Sequence, residues 1–463
     1  MSRTVDTDYL VIGAGAMGMA FTDALIDHAD AHVTMVDRRH GPGGHWLDAY
    51  PFVRLHQASL FYGVASTPLG AGTVQCSGPE TGLHERASMP EVCAYYDAVL
   101  HRRFLPSGRV APLFGSDYQR DGSEHVVVSR ISGERTRVRV RRRVVDATYL
   151  APTIPATTPP PFAVADGARV VAVNRLADPP GSPGTYVIVG SGKTATDAIV
   201  WLIGGGLDPD RIVWIRPRDP WMLNRAVVQP DPVIFLGMGA TIMEAAAEAD
   251  SVDAMFARLE NDGVMMRIDP AVVPTMARTP TLAAWELDRL RSVERVVRLG
   301  HVRAVRPGEI DLTGGILTVP RDALVVHCAA AGLQLPPILP IWDPDCIRLQ
   351  TIRSGFPCFC AALAGYVEAT RDNDYERNRI CPPNVYSNSL AEWSLMQVRG
   401  TRAARIYGAE PDIDAWANRC ALNPARIDPA RREEPDVKAV LTRSSATADA
   451  GLAGLARFAG VPS

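Results

Sequence analysis

Tyr9-Leu10-Val11-Ile12-Gly13-Ala14-Gly15-Ala16-Met17-Gly18, followed by the apolar run at 19–26, decides the fold. The apolar residues before Gly13 read as a short buried strand, the three glycines as a tight turn, and the periodic run after them as a helix. Glycine at these positions lets the chain turn sharply, lets the backbone approach a pyrophosphate and lets helix pack on strand, while the helix N-terminus stabilises negative charge. A second strand, 31–36, ends in Asp37, about 20 residues beyond the glycines, where a carboxylate accepts hydrogen bonds from ribose hydroxyls. Gly13, Gly15, Gly18, Asp37 and the adjoining Arg38 are therefore the expected residues of a first dinucleotide site.

The pattern recurs. Tyr186–Val189 reads as a strand, Gly190-Ser191-Gly192-Lys193-Thr194-Ala195 as a turn, 196–203 as a helix and 211–215 as the next strand. This strand ends in Arg216, with Arg218 beyond it. A carboxylate there would repel a 2′-phosphate, whereas a guanidinium binds one with a bidentate fork, so NADPH is expected over NADH. The Gly-Ser-Gly-Lys-Thr run also invites an NTPase phosphate-loop reading. That loop needs a glycine where Val187 stands, and no acidic magnesium-binding strand follows, so the reading is set aside. Gly190, Ser191, Gly192, Lys193, Thr194 and Arg216 are the expected second site.

With 463 residues, 47% of them hydrophobic and 21% charged, the chain is long enough for two or three cores. The formal net charge of -3 gives no bulk attraction for a polyanion, so nucleic acid is not an expected partner. The eight cysteines are scattered without CxxC or paired metal spacing; no metal is expected, and a reducing cytoplasm is the expected location. Residues 1–8 carry no charged-then-apolar leader, and the most apolar stretch, 323–342, is broken by Pro336, Pro337 and Pro340, so neither a signal peptide nor a membrane span is expected.

Two dinucleotide turns in one chain of this length resemble the flavoproteins with two dinucleotide-binding domains. Gly43-Gly44-His45-Trp46 with Tyr50-Pro51 resembles the GGxW…YP segment of the flavin-containing and Baeyer–Villiger monooxygenases, which hold FAD and NADPH. Val145-Asp146-Ala147-Thr148-Tyr149, with Pro152 and Pro155 beyond, is similar to their crossover between the two domains, and 323–332 resembles the return. The resemblance spans roughly residues 8–365 and implies an α/β fold with a Rossmann-like FAD domain and an inserted NAD(P)-binding domain. It adds Gly44, Trp46, Ala147 and Thr148 to the cofactor residues. It also implies monooxygenation of a small organic substrate by O2 through a C4a-(hydro)peroxyflavin. The family's FxGxxxHxxx(W/F/Y) fingerprint is missing, since no histidine lies between Pro160 and Gly190 and Asn174-Arg175 occupies that neighbourhood. Nitrogen or sulfur oxygenation, or hydroxylation, is accordingly expected over ketone insertion.

The expected organisation is an FAD domain at 1–150 and 325–410, an NADP domain at 151–324 with a helical insertion at 241–259 and 281–297, and a C-terminal extension at 411–463 forming surface or an oligomer contact. A Pro-rich linker at 152–161 leads outward, 302–319 reads as a hairpin, and Arg137-Val138-Arg139-Val140-Arg141 reads as a half-exposed strand. His56 and Gln57, six and seven residues beyond Tyr50, fall where the related enzymes bring side chains to the flavin, and are the expected catalytic residues with Asn384 of Cys381-Pro382-Pro383-Asn384. Tyr50, Arg54 and Tyr386 stand near them in sequence. Two other functions stay open: an NAD(P)H-dependent flavin oxidoreductase without oxygenation, and a non-catalytic dinucleotide sensor. A homodimer is left open.

Overall fold

The computed structural model describes residues 3–179, 181–330, 332, 335–353 and 355–462. Ala331, within the expected return crossover, lies outside the described residues. Two mainly parallel sheets carry the architecture. The first runs, in spatial order, Trp342–Asp343, Cys346–Arg348, Arg135–Asp146, Arg3–Ile12, Val33–Val36 and Val110–Leu113. Glu124–Ser129 joins Arg135–Asp146 antiparallel, and Ser116–Asp121 joins Glu124–Ser129 in turn. Ile12 lies opposite both Val36 and Asp146, so Gly13, Asp37 and Ala147 emerge on one edge of the sheet. Val33–Val36 is buried at every position, as a parallel strand covered on both faces must be. Arg135–Asp146 begins with Thr136 and Val138 inward and Arg135, Arg137 and Arg139 outward.

The N-terminal helix Ala16–His28 packs against Pro357–Thr370 so closely that a Cβ on Gly365 would stand 2.5 Å from the Phe21 carbonyl oxygen. Beside this contact the buried Glu368 accepts the Tyr9 hydroxyl at 2.6 Å and Trp342 Nε1 at 2.8 Å.

The second sheet is Val170–Ala172, Leu324–His327, Tyr186–Val189, Ile212–Ile215 and Val296–Val297, all parallel. Leu324–His327, Tyr186–Val189 and Ile212–Ile215 are buried throughout, again the mark of strands covered on both faces. The stretch read as a hairpin is a three-stranded meander, Val302–Arg306, Glu309–Leu312 and Gly315–Thr318, lengthened by Ala163–Val164.

The expected helical stretches differ in extent. A helix already starts at Pro232, capped by Asp231, and runs to Glu248; a second, Val252–Asn261, is started afresh by the Ser251 side chain. The 281–297 stretch holds only the helix Ala284–Arg291 between two short strands. Pro435–Ala459 is a helix that lies along Pro232–Glu248, and a Cβ on Gly454 would fall 1.9 Å from the Ala246 carbonyl oxygen. Gly451 and Gly454 allow the closest approach, with Val437, Val440, Leu452 and Leu455 buried beside them.

Candidate functional site

At the first turn Gly13 has φ +103°, and a Cβ there would meet Thr148 Cγ2 at 2.9 Å. A Cβ on Gly18 would fall 2.0 Å from the Gly13 carbonyl oxygen. The Gly43-Gly44 segment folds back over the turn: Gly43 N–H donates to the Ala14 carbonyl at 2.8 Å, and Gly44, at φ +59°, has room for no side chain beside Gly15. Asp37 is buried, one oxygen accepting Ala14 N–H at 2.8 Å and the other Arg39 N–H at 2.9 Å. Arg38 is exposed. Trp46 is buried and donates from Nε1 to the Tyr62 hydroxyl at 2.6 Å. Ala147 N–H donates to the Ile12 carbonyl, and Thr148 donates twice to Asp146 Oδ1, at 2.8 and 2.7 Å.

At the second turn Gly190 has φ +133°, with Cys328 against it. Ser191 is half-buried and Thr194 stands beside Tyr50.

The helices that leave these turns share a peculiarity. A helix start leaves backbone N–H groups without partners, which a capping side chain, a capping acid or an early proline normally offsets. Among the α-helices of the described residues, every one has such a start except Ala16–His28 and Lys193–Gly204, which begin at Gly15 and Gly192 with no capping side chain and no acid in the first turn. Both present bare N–H groups at the parallel-sheet edge, the donor set of a pyrophosphate site.

Arg216 departs from expectation. It is 1% exposed, its Nη2 forms an ion pair with Asp219 Oδ1 at 2.8 Å while Nε and Nη1 are buried without a hydrogen-bond partner, and it lies over the Trp214 ring at 4.6 Å. Burial, together with nearby Arg298, lowers its pKa to about 10. Arg298 grips the same Asp219 through contacts of 2.9 and 3.2 Å. The expected arginine thus points inward because Asp219, three residues on, holds it there. Arg218 and Arg278 instead converge, each donating to Oδ1 of Asn388 at 3.0 Å.

Asn384 also departs. It is buried, its amide donates to the Met396 carbonyl at 3.0 Å, and its oxygen accepts Val385 N–H at 2.8 Å, so it braces its own loop. Tyr386 is half-buried. The His56 carbonyl accepts Arg225 Nε at 2.9 Å and the Thr281 hydroxyl. Burial, then the cations Lys193, Arg225 and Arg86, hold the His56 imidazole well below its usual pKa. It is a neutral hydrogen-bonding group at physiological pH. Gln57 is half-buried next to it.

The sequence reading missed the buried charges under this segment. Arg225 donates to Glu80 at 2.8 Å and to Glu286, and Arg86 donates to Glu80 and to the Leu55 carbonyl. Two arginines and two glutamates thus join the region around His56 to the insert. Asp197 was missed as well: it pairs with Lys193 and accepts the Tyr50 hydroxyl at 2.8 Å. Its spacing of four from Lys193 was a readable signal, whereas Glu80 and Arg225 are joined only by the fold. A cleft of about 1110 Å³ opens between Phe52, Tyr95, Asp197, Trp201 and Trp285, and neither glycine turn lines it.

Comparison with known proteins agrees with this geometry. The family model of the NAD(P)-binding Rossmann-like domain matches residues 11–60. Cyclohexanone monooxygenase, solved with ε-caprolactone, is 16% identical with a TM-score of 0.53 over 88% of this chain and 98% of that one. The polycyclic ketone monooxygenase of the fungus Thermothelomyces thermophila is 14% identical with a TM-score of 0.52 over 98% of this chain and 90% of that one. The fold is therefore the expected one, with two dinucleotide-binding domains. Far higher identity, 42% over 426 residues, links the chain to the uncharacterized proteins Rv2000 of Mycobacterium tuberculosis and Mb2023 of Mycobacterium bovis, covering 91% of this chain and 78% of each relative. The chain belongs to the family of these mycobacterial proteins, built on the flavoprotein monooxygenase fold.

Proposed function

We propose that the protein is an FAD-dependent, NADPH-consuming monooxygenase of a small organic substrate, with O2 as co-substrate. The carrying observation is the pair of uncapped, acid-free helix starts at Gly15 and Gly192, each directly after a glycine turn at a parallel-sheet edge. That donor set fits two pyrophosphates. FAD would be held by the turn at Gly13, Gly15 and Gly18, by Asp37, whose oxygens keep lone pairs for a ribose, and by the segment at Gly44 and Trp46. NADPH would be held by Gly190, Ser191 and Gly192. Because Arg216 is neutralised by Asp219, the 2′-phosphate falls to Arg218 and Arg278, which already converge on one amide oxygen. Bound flavin supplies the redox chemistry, accepting hydride and activating O2. The protein's part is to orient, to exclude water and to offer the neutral His56 imidazole, with Gln57, as hydrogen-bonding groups. Nitrogen or sulfur oxygenation, or hydroxylation, is the form proposed.

The test is turnover of methyl phenyl sulfide and N,N-dimethylaniline under 18O2. Product carrying one labelled oxygen per NADPH consumed is expected. If NADPH is oxidised and all oxygen appears as H2O2, the flavin oxidoreductase is the right reading; if no NADPH is consumed, the dinucleotide sensor is.

A further inference from the structure

Lys193 occupies the first position of the helix Lys193–Gly204, where a bound phosphate would attract a free cation. Its ammonium is buried instead against Asp197, one turn along. The other Asp197 oxygen accepts the Tyr50 hydroxyl at 2.8 Å. One turn further, Trp201 stacks on Phe52 at 4.6 Å. Lys193, Asp197 and Trp201 are spaced by four and form one stripe on the helix. Tyr50 and Phe52 meet that stripe from the first domain, and the same stretch of chain leads to His56. Drawing Lys193 away to a phosphate would leave the Asp197 carboxylate, 10% exposed at the cleft wall, without its cation, a costly arrangement.

We propose that Lys193, Asp197 and Trp201 form a stripe that positions the Tyr50–His56 segment against the second nucleotide helix, with Lys193 a positioning residue and not a phosphate ligand. The proposal rests on reading Gly190–Gly192 as a nucleotide turn.

The experiment uses the full-length holoprotein with NADP+ as probe. Lys193→Met, Asp197→Asn and their double variant are titrated with NADP+, and their flavin reduction by NADPH is followed in single turnover. Positioning requires that each single variant slow reduction about tenfold or more, shift the visible flavin band, and change the NADP+ Kd by less than about threefold. The double variant leaves no lone buried charge and should be no worse than either single one. If Lys193→Met weakens NADP+ tenfold or more while Asp197→Asn changes nothing, Lys193 is a phosphate ligand and the proposal fails. If the wild type binds no NADP+, the nucleotide reading fails by itself, and folding decides the stripe. The unfolding-midpoint shifts of Tyr50→Phe and Asp197→Leu must then be less than additive in the double variant, and strictly additive shifts would sink it.

Discussion

The two glycine turns begin from nearly the same local sequence and end as different devices. At the first, the residue closing the next strand, Asp37, turns back onto the loop and holds it through Ala14 N–H, and Gly44 closes over Gly15. At the second, the corresponding residue, Arg216, is drawn inward by Asp219, and the loop's own lysine is drawn along its helix by Asp197. At the second glycine a Cβ on Gly15 would meet Gly44 Cα at 3.5 Å, whereas one on Gly192 would meet nothing within 4 Å; at the third, a Cβ on Gly18 would strike backbone where the second turn accommodates Ala195. The first turn is therefore assembled tightly around its own backbone, and the second is open at its centre with its charges occupied at the sides. A shared motif specifies the turn and the helix start; charges a few residues away determine what remains for a ligand.

The largest effect is expected from severing the two regions. Arg225→Leu leaves Glu80 and Glu286 short of a buried cation and should lower stability by about 3 to 5 kcal/mol in denaturant unfolding. A change below about 1 kcal/mol would mean that water already reaches the network.

Next comes the contrast between the turns themselves. Gly18→Val should lose the flavin altogether and about 3 kcal/mol of stability by overpacking, while Gly192→Ala should keep the wild-type unfolding midpoint and flavin content. Equal losses from the two would erase the distinction.

The arginines provide a sharper version. Arg218→Ala should weaken NADPH ten- to a hundred-fold, about 1.5 to 3 kcal/mol, and leave NADH nearly unchanged. Arg216→Ala should weaken both nucleotides by similar small factors. The reverse pattern would return the 2′-phosphate to Arg216.

The smallest effect is one of pH. Burial lowers the pKa of His45, beside Gly44, to about 4 from an ordinary 6.5. A depressed folded-state pKa gives stability that is full above 6.5 and lost as pH falls toward 4, because the unfolded chain takes the proton first. The shift corresponds to at most about 3 kcal/mol, which water at the half-buried ring reduces to on the order of 1 kcal/mol, so stability in thermal unfolding should weaken by that much across the window, and His45→Phe should flatten this part of the profile. An unchanged profile would show that water hydrates the ring.

Both turns, their flanking strands and the two-domain plan were legible in the sequence because glycine spacing and short buried strands are local signals. Arg216 and Asn384 were read from their place in the sequence, which does not show where a side chain is aimed. Their partners, Asp219 and Met396, are near in sequence, but only the folded chain aims the side chains at them. Glu80, Arg86, Arg225 and Glu286 come from distant stretches and left no pattern to read. The C-terminal helix was missed because the buried Val437, Val440, Leu452 and Leu455 are interspersed with glycine and alanine, which weakens the periodicity until a partner helix lies against them.

The strand Cys346–Arg348 completes a sheet begun by Arg3–Ile12, and Pro357–Thr370 covers the helix Ala16–His28. On a ribosome adding about 5 to 20 residues per second, the apolar face of that first helix waits roughly 20 to 70 s for its cover. The inserted sheet, whose strands all lie between Val170 and His327, can close before then. The order of synthesis therefore makes the nucleotide insert the earlier folding unit and leaves the amino-terminal segment as the one most in need of a chaperone.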